Sequence, residues 1–179
     1  MANTDSAFGL RPLGLNGSAV YNGALVTRKG AIDKDDPTAI FRGDPLQALT
    51  TGYVGKWTAG QASAEMVGVM WGCEYFSTSQ QTKRFSKYWP GADAAADVDV
   101  FYIPIQLSTP PLFIVQCDVT GMVFADIGLN ADLTMGSGNT TTGISTSVLA
   151  VPGASTNTLP FRIIDFYSNQ AATGADGTA

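Results

Sequence analysis

The sequence has no histidine, two cysteines and only two glutamates, Glu65 and Glu74. Without histidine the chain lacks the side chain that most often acts as general base near neutral pH and the commonest metal ligand. A serine nucleophile would have no imidazole to activate it, and no Gly-x-Ser-x-Gly elbow occurs, so hydrolysis through a Ser-His-Asp triad is excluded. Cys73 and Cys117 stand far apart, each within an apolar stretch. They form neither a disulfide framework nor a four-ligand zinc site, and read as reduced core thiols. Charged residues are scarce too, 14% where about 25% is usual, with Gly, Ala, Thr and Ser in their place. The ten basic and fifteen acidic residues give a formal charge of -5 and a pI near 4.4, which argues against binding by phosphate neutralisation. No window approaches the roughly 18 apolar residues of a membrane span. The N-terminal stretch has neither a basic nor an apolar leader region, so a soluble chain that is not exported and meets no membrane is expected.

What is present is glycine, in 20 copies that punctuate nearly every segment, and short strand-like runs between them. At 18.7 kDa one domain could bury about 69% of its unfolded surface without a metal or disulfide. The runs are Ser18 to Thr27, Asp44 to Leu49, Tyr53 to Trp57, Met66 to Phe76, Val98 to Ile103, Leu112 to Cys117, Val148 to Val151 and Phe161 to Phe166. They predict an all-β body, a β-sandwich (jelly-roll-like) or flattened barrel. In the longest, strict alternation would put Val67, Val69, Trp71, Cys73 and Tyr75 on a dry face and Gly68, Gly72 and Glu74 opposite. Trp71 is thus expected in the core with Cys73 beside it, and Gly68 and Gly72 are expected to let another backbone sit close. The polar, Gly-rich stretch Asp132 to Thr146 reads as a long surface loop or hairpin tip. Residues 1–17 read as an extended N-terminal arm, 18–169 as the β-rich body and 170–179 as a flexible tail. The apolar anchors of the arm are Phe8, Leu10, Leu13 and Leu15; a terminal strand on its own domain is the equal alternative.

Few motifs carry chemistry. Gly-Ser-Gly-Asn-Thr-Thr-Thr-Gly at 136–143 lacks the Gly-Lys-Ser/Thr ending of a phosphate loop. The acidic groups Asp33, Asp35, Asp36 and Asp93, Asp97, Asp99 miss the spacing of a calcium loop and read as solvated turns. Glu74 is a single carboxylate in an apolar strand, where a glycosidase needs two across a cleft. No catalytic residue, metal or cofactor is therefore expected. The densest signal is Lys83-Arg84-Phe85-Ser86-Lys87-Tyr88-Trp89-Pro90-Gly91, cations beside aromatics, which fits a protein interface better than nucleic acid in an acidic chain. Ordinary packing of Phe85 and Trp89 is the equal alternative.

Four stretches carry a resemblance: Ala-Phe-Gly-Leu-Arg-Pro at 7–12, Gly-Cys-Glu-Tyr at 72–75, Phe-Ser-Lys-Tyr-Trp-Pro at 85–90, and Gly-Asn-Thr-Thr-Thr-Gly at 138–143 followed by Leu159-Pro160-Phe161-Arg162-Ile163. Over most of its length the chain resembles small structural proteins of tailed bacteriophages, the capsid-stabilising cement or decoration proteins. The resemblance implies a non-enzymatic virion protein on the capsid surface, made in the host bacterial cytoplasm. It implies the major capsid protein as partner and a homotrimer at local threefold positions. Phe8, Leu10, Arg11, Pro12, Leu13, Lys87, Tyr88 and Trp89 are the expected capsid or subunit contacts. The competing classes are a tail or host-surface carbohydrate-binding module, which would use an aromatic pocket containing Tyr88 and Trp89, and a carboxylate hydrolase.

Overall fold

A computed structural model of the chain describes residues 6–15, 27–60, 65–106, 110–118, 122–154 and 159–165. In chain order the strands are β1 (Arg11–Leu15), β2 (Arg28–Ile32), β3 (Ile40–Phe41), β4 (Pro45–Ala48), β5 (Val54–Lys56), β6 (Met66–Ser77) and β7 (Thr82–Ser86). They continue with β8 (Tyr88–Trp89), β9 (Val98–Pro104), β10 (Pro111–Ile114), β11 (Asn130–Thr134), β12 (Val148–Ala154) and β13 (Phe161–Arg162). A 3₁₀ turn, Phe124–Asp126, interrupts them, and no α-helix occurs among the described residues. The protein is all-β, built of antiparallel sheets packed as a sandwich and not closed into a barrel.

The main sheet has the order β2-β9-β6-β4-β5, with β7 added to the far half of β6. β6 is its spine because its β-branched, aromatic and thiol side chains suit a strand covered on both faces. Strict alternation along it fails, however. Leu46 pairs with Gly68 but Gln47 with Met66, leaving Val67 as an extra residue, and Met70 pairs with Tyr102 but Gly72 with Phe101, leaving Trp71 as another. Each bulge flips the side-chain parity beyond it. Met70, Cys73 and Tyr75 consequently enter one core with Leu46, Trp89 and Val100, while Met66 and Val69 enter a second core. Trp71 is therefore half-buried at a bulge and is not the core residue that alternation predicts.

The second core lies where the β12-β11-β13 sheet and the β1-β10 pair supply side chains. Leu133, Leu149, Ile163 and Leu10 meet Trp57, Met66 and Val69 there. The Asp132 to Thr146 stretch runs from β11 through the connection of the β11-β12 hairpin, with exposed residues 139–142 at its tip. It is packed rather than loose, since Leu133 is 1% exposed and Gly143 and Ser145 are buried. Of the two readings of the N-terminal segment the own-domain strand fits residues 6–15, since β1 pairs with β10 and Leu10, just before it, is 3% exposed in the second core. Leu10 is thus unavailable as an anchor on a neighbour. Residues 1–5, the side chain of Leu15, most of the Ser18 to Thr27 run and the 170–179 tail lie outside the described residues.

The expectation for Gly68 and Gly72 holds. A Cβ on Gly68 would strike the Ile103 carbonyl oxygen and the Tyr102 ring, and one on Gly72 would lie 3.0 Å from the Ser86 carbonyl oxygen. These are the neighbouring strands β9 and β7, which a methyl group would push away.

Candidate binding face

The face is assembled from a buried anchor. Asp44, with no exposed surface, accepts from Ser145 Oγ at 2.5 Å and from the Phe41 amide at 2.9 Å, and pairs with Lys56 Nζ at 3.0 Å. Ser147 Oγ lies 3.3 Å from the same carboxylate, and Lys56 also donates to the Gly136 carbonyl at 3.1 Å. A buried charge needs such partners to offset its desolvation. The network holds the turn before β4 against the 143–147 segment, and backbone bonds complete the joint. Arg42 N donates to Gly143 O at 3.1 Å, Ser145 N to Arg42 O at 2.9 Å, and Gly43 N to Met70 O at 2.9 Å. The N-terminal segment joins through Leu10 N to Gly43 O at 3.0 Å, and Gly9, with φ +66°, lies where a Cβ would be 2.5 Å from that of Ser145.

Beside this joint Trp71 emerges at its bulge, and the Arg42 guanidinium carbon lies 3.4 Å from its ring centroid. The planar cation over the ring face is a favourable electrostatic arrangement that also fixes the indole. On one side of Trp71 is a groove of about 490 Å³ lined by Phe8, Leu10, Arg11, Pro12, Arg42, Gly43, Lys87 and Ile144. On the other side is a more open depression of about 400 Å³, lined by Thr27, Gly72, Cys73, Phe85, Ser86, Lys87 and Phe101. Trp71 and Lys87 belong to both, so the two form one continuous face.

Among the described residues no lining residue is acidic, although the chain carries -5 overall. Four of the five lysines pair with carboxylates: Lys29 with Asp99 at 2.8 Å, Lys34 with Asp35 at 2.6 Å, Lys56 with Asp44, and Lys83 with Glu74. Lys87 is the fifth, and it and Arg11 have no acidic partner among the described residues. Phe85 is 74% exposed at the rim, and Leu13, outside the groove on β1, is 39% exposed.

Of the expected contacts, the structure brings Phe8, Leu10, Arg11, Pro12 and Lys87 together around one groove. Tyr88 is half-buried and stacked on Phe41, with centroids 5.1 Å apart. Trp89 is corrected: it has no exposed surface, packs edge-on against Tyr75 and donates its indole N–H to the Asp36 carbonyl at 3.2 Å. Pairing of β8 with β3 turns it inward, which the run of cations and aromatics did not reveal. Trp71, Arg42 and Ile144 were missed, because the bulge that turns Trp71 out has no signature in a strand that otherwise alternates.

The remaining candidate groups are engaged in structure. Glu74 faces Asp99 across β6 and β9, and each is held by its own lysine in a surface charge ladder. Asp33 and Asp36 accept from the Asp35 and Thr38 amides in turns, and Asp97 accepts from Tyr53 at 2.9 Å. Asp93 accepts from Ser77 Oγ, the Ser79 amide and Thr78 Oγ1, which lowers its pKa to about 2. Among the described residues no group of three His, Cys, Asp or Glu side chains could hold a metal ion. In the 136–143 stretch the Gly136 and Gly138 amides donate to Ser147 and Thr146, and Asn139 accepts from the Thr141 and Thr142 amides. Those amides are turned to internal partners, so they form no phosphate cradle. Burial pushes the Cys73 thiol up to about 12.

No family model matches the chain, and neither a curated protein nor a solved structure matches it.

Proposed function

We propose that this chain is a structural protein of a tailed-phage virion, a cement or decoration subunit that binds the capsid lattice through the face around Trp71. The observation that carries this reading is convergence. Segments separated in the sequence and responsible for the resemblance meet at that face: Phe8, Arg11 and Pro12 from the first, Gly72 and Cys73 from the second, Phe85 to Lys87 from the third, and Gly143 of the fourth bonded to Arg42. The face also has the composition of an interface, with Trp, Phe and Arg at its centre and cations at its rim. In this reading the partner is the major capsid protein and the subunit associates as a trimer on the capsid surface. A rigid body that clamps neighbours needs no catalytic group. The carbohydrate-binding alternative loses its Tyr88–Trp89 platform, because Trp89 is in the core.

The test is sedimentation of the purified protein with phage shells that lack it, followed by cryo-electron microscopy of the pellet. Saturable binding at repeated lattice positions, abolished by Trp71→Ala together with Lys87→Glu, is the expected result. Failure to sediment with any shell, or binding unaffected by that double substitution, overturns the reading. Solution mass tests the trimer separately, and a monomer at high concentration removes it.

A further inference from the structure

We propose that the groove beside Trp71 takes an extended peptide segment of a partner protein in which carboxylates alternate with apolar side chains. This rests on the reading above only in treating the face as a protein-docking face. Cations and apolar groups share its lining: Arg11 with Phe8 and Pro12 in the groove, and Lys87 with Trp71 and Phe85 in the depression. Lys87 and Arg11 are exposed, and among the described residues they have no acidic partner and border a groove with no carboxylate in its lining. Arg42 lies over the ring of Trp71, which lines both depressions, so an extended occupant that fills both passes the indole.

The shape excludes the simpler occupants. A small anion would need a convergent pocket, whereas the cations here are spread along a groove continuous with an open depression. A polyphosphate backbone would carry many charges against a protein of net charge -5 and would leave the apolar walls unused. A short acidic segment brings few charges, and its intervening apolar side chains cover Phe8, Pro12 and Ile144. A carboxylate on Arg11 would be held by two parallel bonds, and one on Lys87 by a point charge.

The experiment is fluorescence anisotropy of a labelled peptide of alternating Glu and Leu, titrated with the full-length protein. Competitors are polyglutamate, the matching Lys–Leu peptide and a single-stranded thymidine oligonucleotide. The expected result is saturable binding that weakens with salt and falls about ten-fold or more with Lys87→Glu or Arg11→Glu, the loss of roughly one charge-assisted contact. Lys34→Gln, a change on an exposed turn, should leave it unaltered. Both groove positions are exposed, and an unchanged melt shows that the variants fold. No binding, equal loss with Lys34→Gln, or equally tight binding of polyglutamate or the oligonucleotide overturns the proposal. Shells that bind the protein while the peptide does not sink this inference and leave the virion reading standing; the reverse outcome does the opposite.

Discussion

Ser145 Oγ donates to the Asp44 carboxylate at 2.5 Å across 101 positions of chain, and neither residue has exposed surface. Around that bond the N-terminal segment, the turn before β4 and the 143–147 segment are held together, so the candidate face depends on it without including it.

Replacing Asp44 with Ala should therefore be among the most damaging single changes. Lys56, 14% exposed at its side chain, would lose its counter-charge, and Phe41 N and both serines would lose their acceptor. Breaking a buried pair typically costs about 3 to 5 kcal/mol. For a domain of this size that corresponds to a fall in Tm of roughly 6 °C or more, measurable by calorimetry. An unchanged melt would show the network to be dispensable.

Deleting residues 2–15 should destabilise the body as well as the face. Leu10 sits in the second core and Gly9 is seated on Ser145, and a Leu→Ala change at such a site costs about 2 to 5 kcal/mol. Urea unfolding of Leu10→Ala and of the deletion variant checks this. A truncated chain as stable as the parent would restore the independent arm.

The three tryptophans should separate in solution. Trp57 and Trp89 have no exposed surface whereas Trp71 is half-buried in the groove. Acrylamide should quench mainly Trp71, and the quenched component should vanish in Trp71→Phe. Trp89→Ala should cost about 3 to 5 kcal/mol and Trp71→Ala clearly less.

Cys73 should resist thiol reagents in the native state. Its folded pKa near 12 against 9.0 for a free thiol lowers the thiolate fraction at pH 8 roughly a thousand-fold. The same shift sets the alkaline limit of stability. The unfolded thiol ionises first, so stability falls as pH rises above about 9 and the loss levels off near 12. Burial raises Tyr75 in the same direction. A Cys73→Ser variant should have a flatter alkaline limb in a plot of Tm against pH.

Asp93 governs part of the acid limb. Its folded pKa of about 2 lies below the ordinary 3.8, first because of Ser77 and then the Ser79 amide. Its contribution is complete above about pH 4 and is lost as pH falls towards 2. Asp93→Asn should remove that slope, and identical acid limbs in variant and parent would contradict the hydrogen-bonded turn.

The sequence by itself determined the all-β class, a strand over a core at Met66 to Phe76, the close approach at Gly68 and Gly72, and a buried Cys73. These follow from local properties: side-chain branching, period-two patterning, and the room left by a missing Cβ. The absence of histidine likewise ruled out imidazole chemistry before any fold was known. What only the tertiary structure decided depends on partners distant in the chain. Two bulges reverse the alternation of β6 and turn Trp71 out, because register is set by β4 and β9 rather than by β6 alone. Trp89 is inside because β3 lies alongside it, and the glycine-rich 136–147 stretch is packed because Asp44 supplies the acceptor its serines need. The groove exists because residues near positions 10, 42, 71, 87 and 144 meet there, and their separation along the chain carries no signal of that meeting.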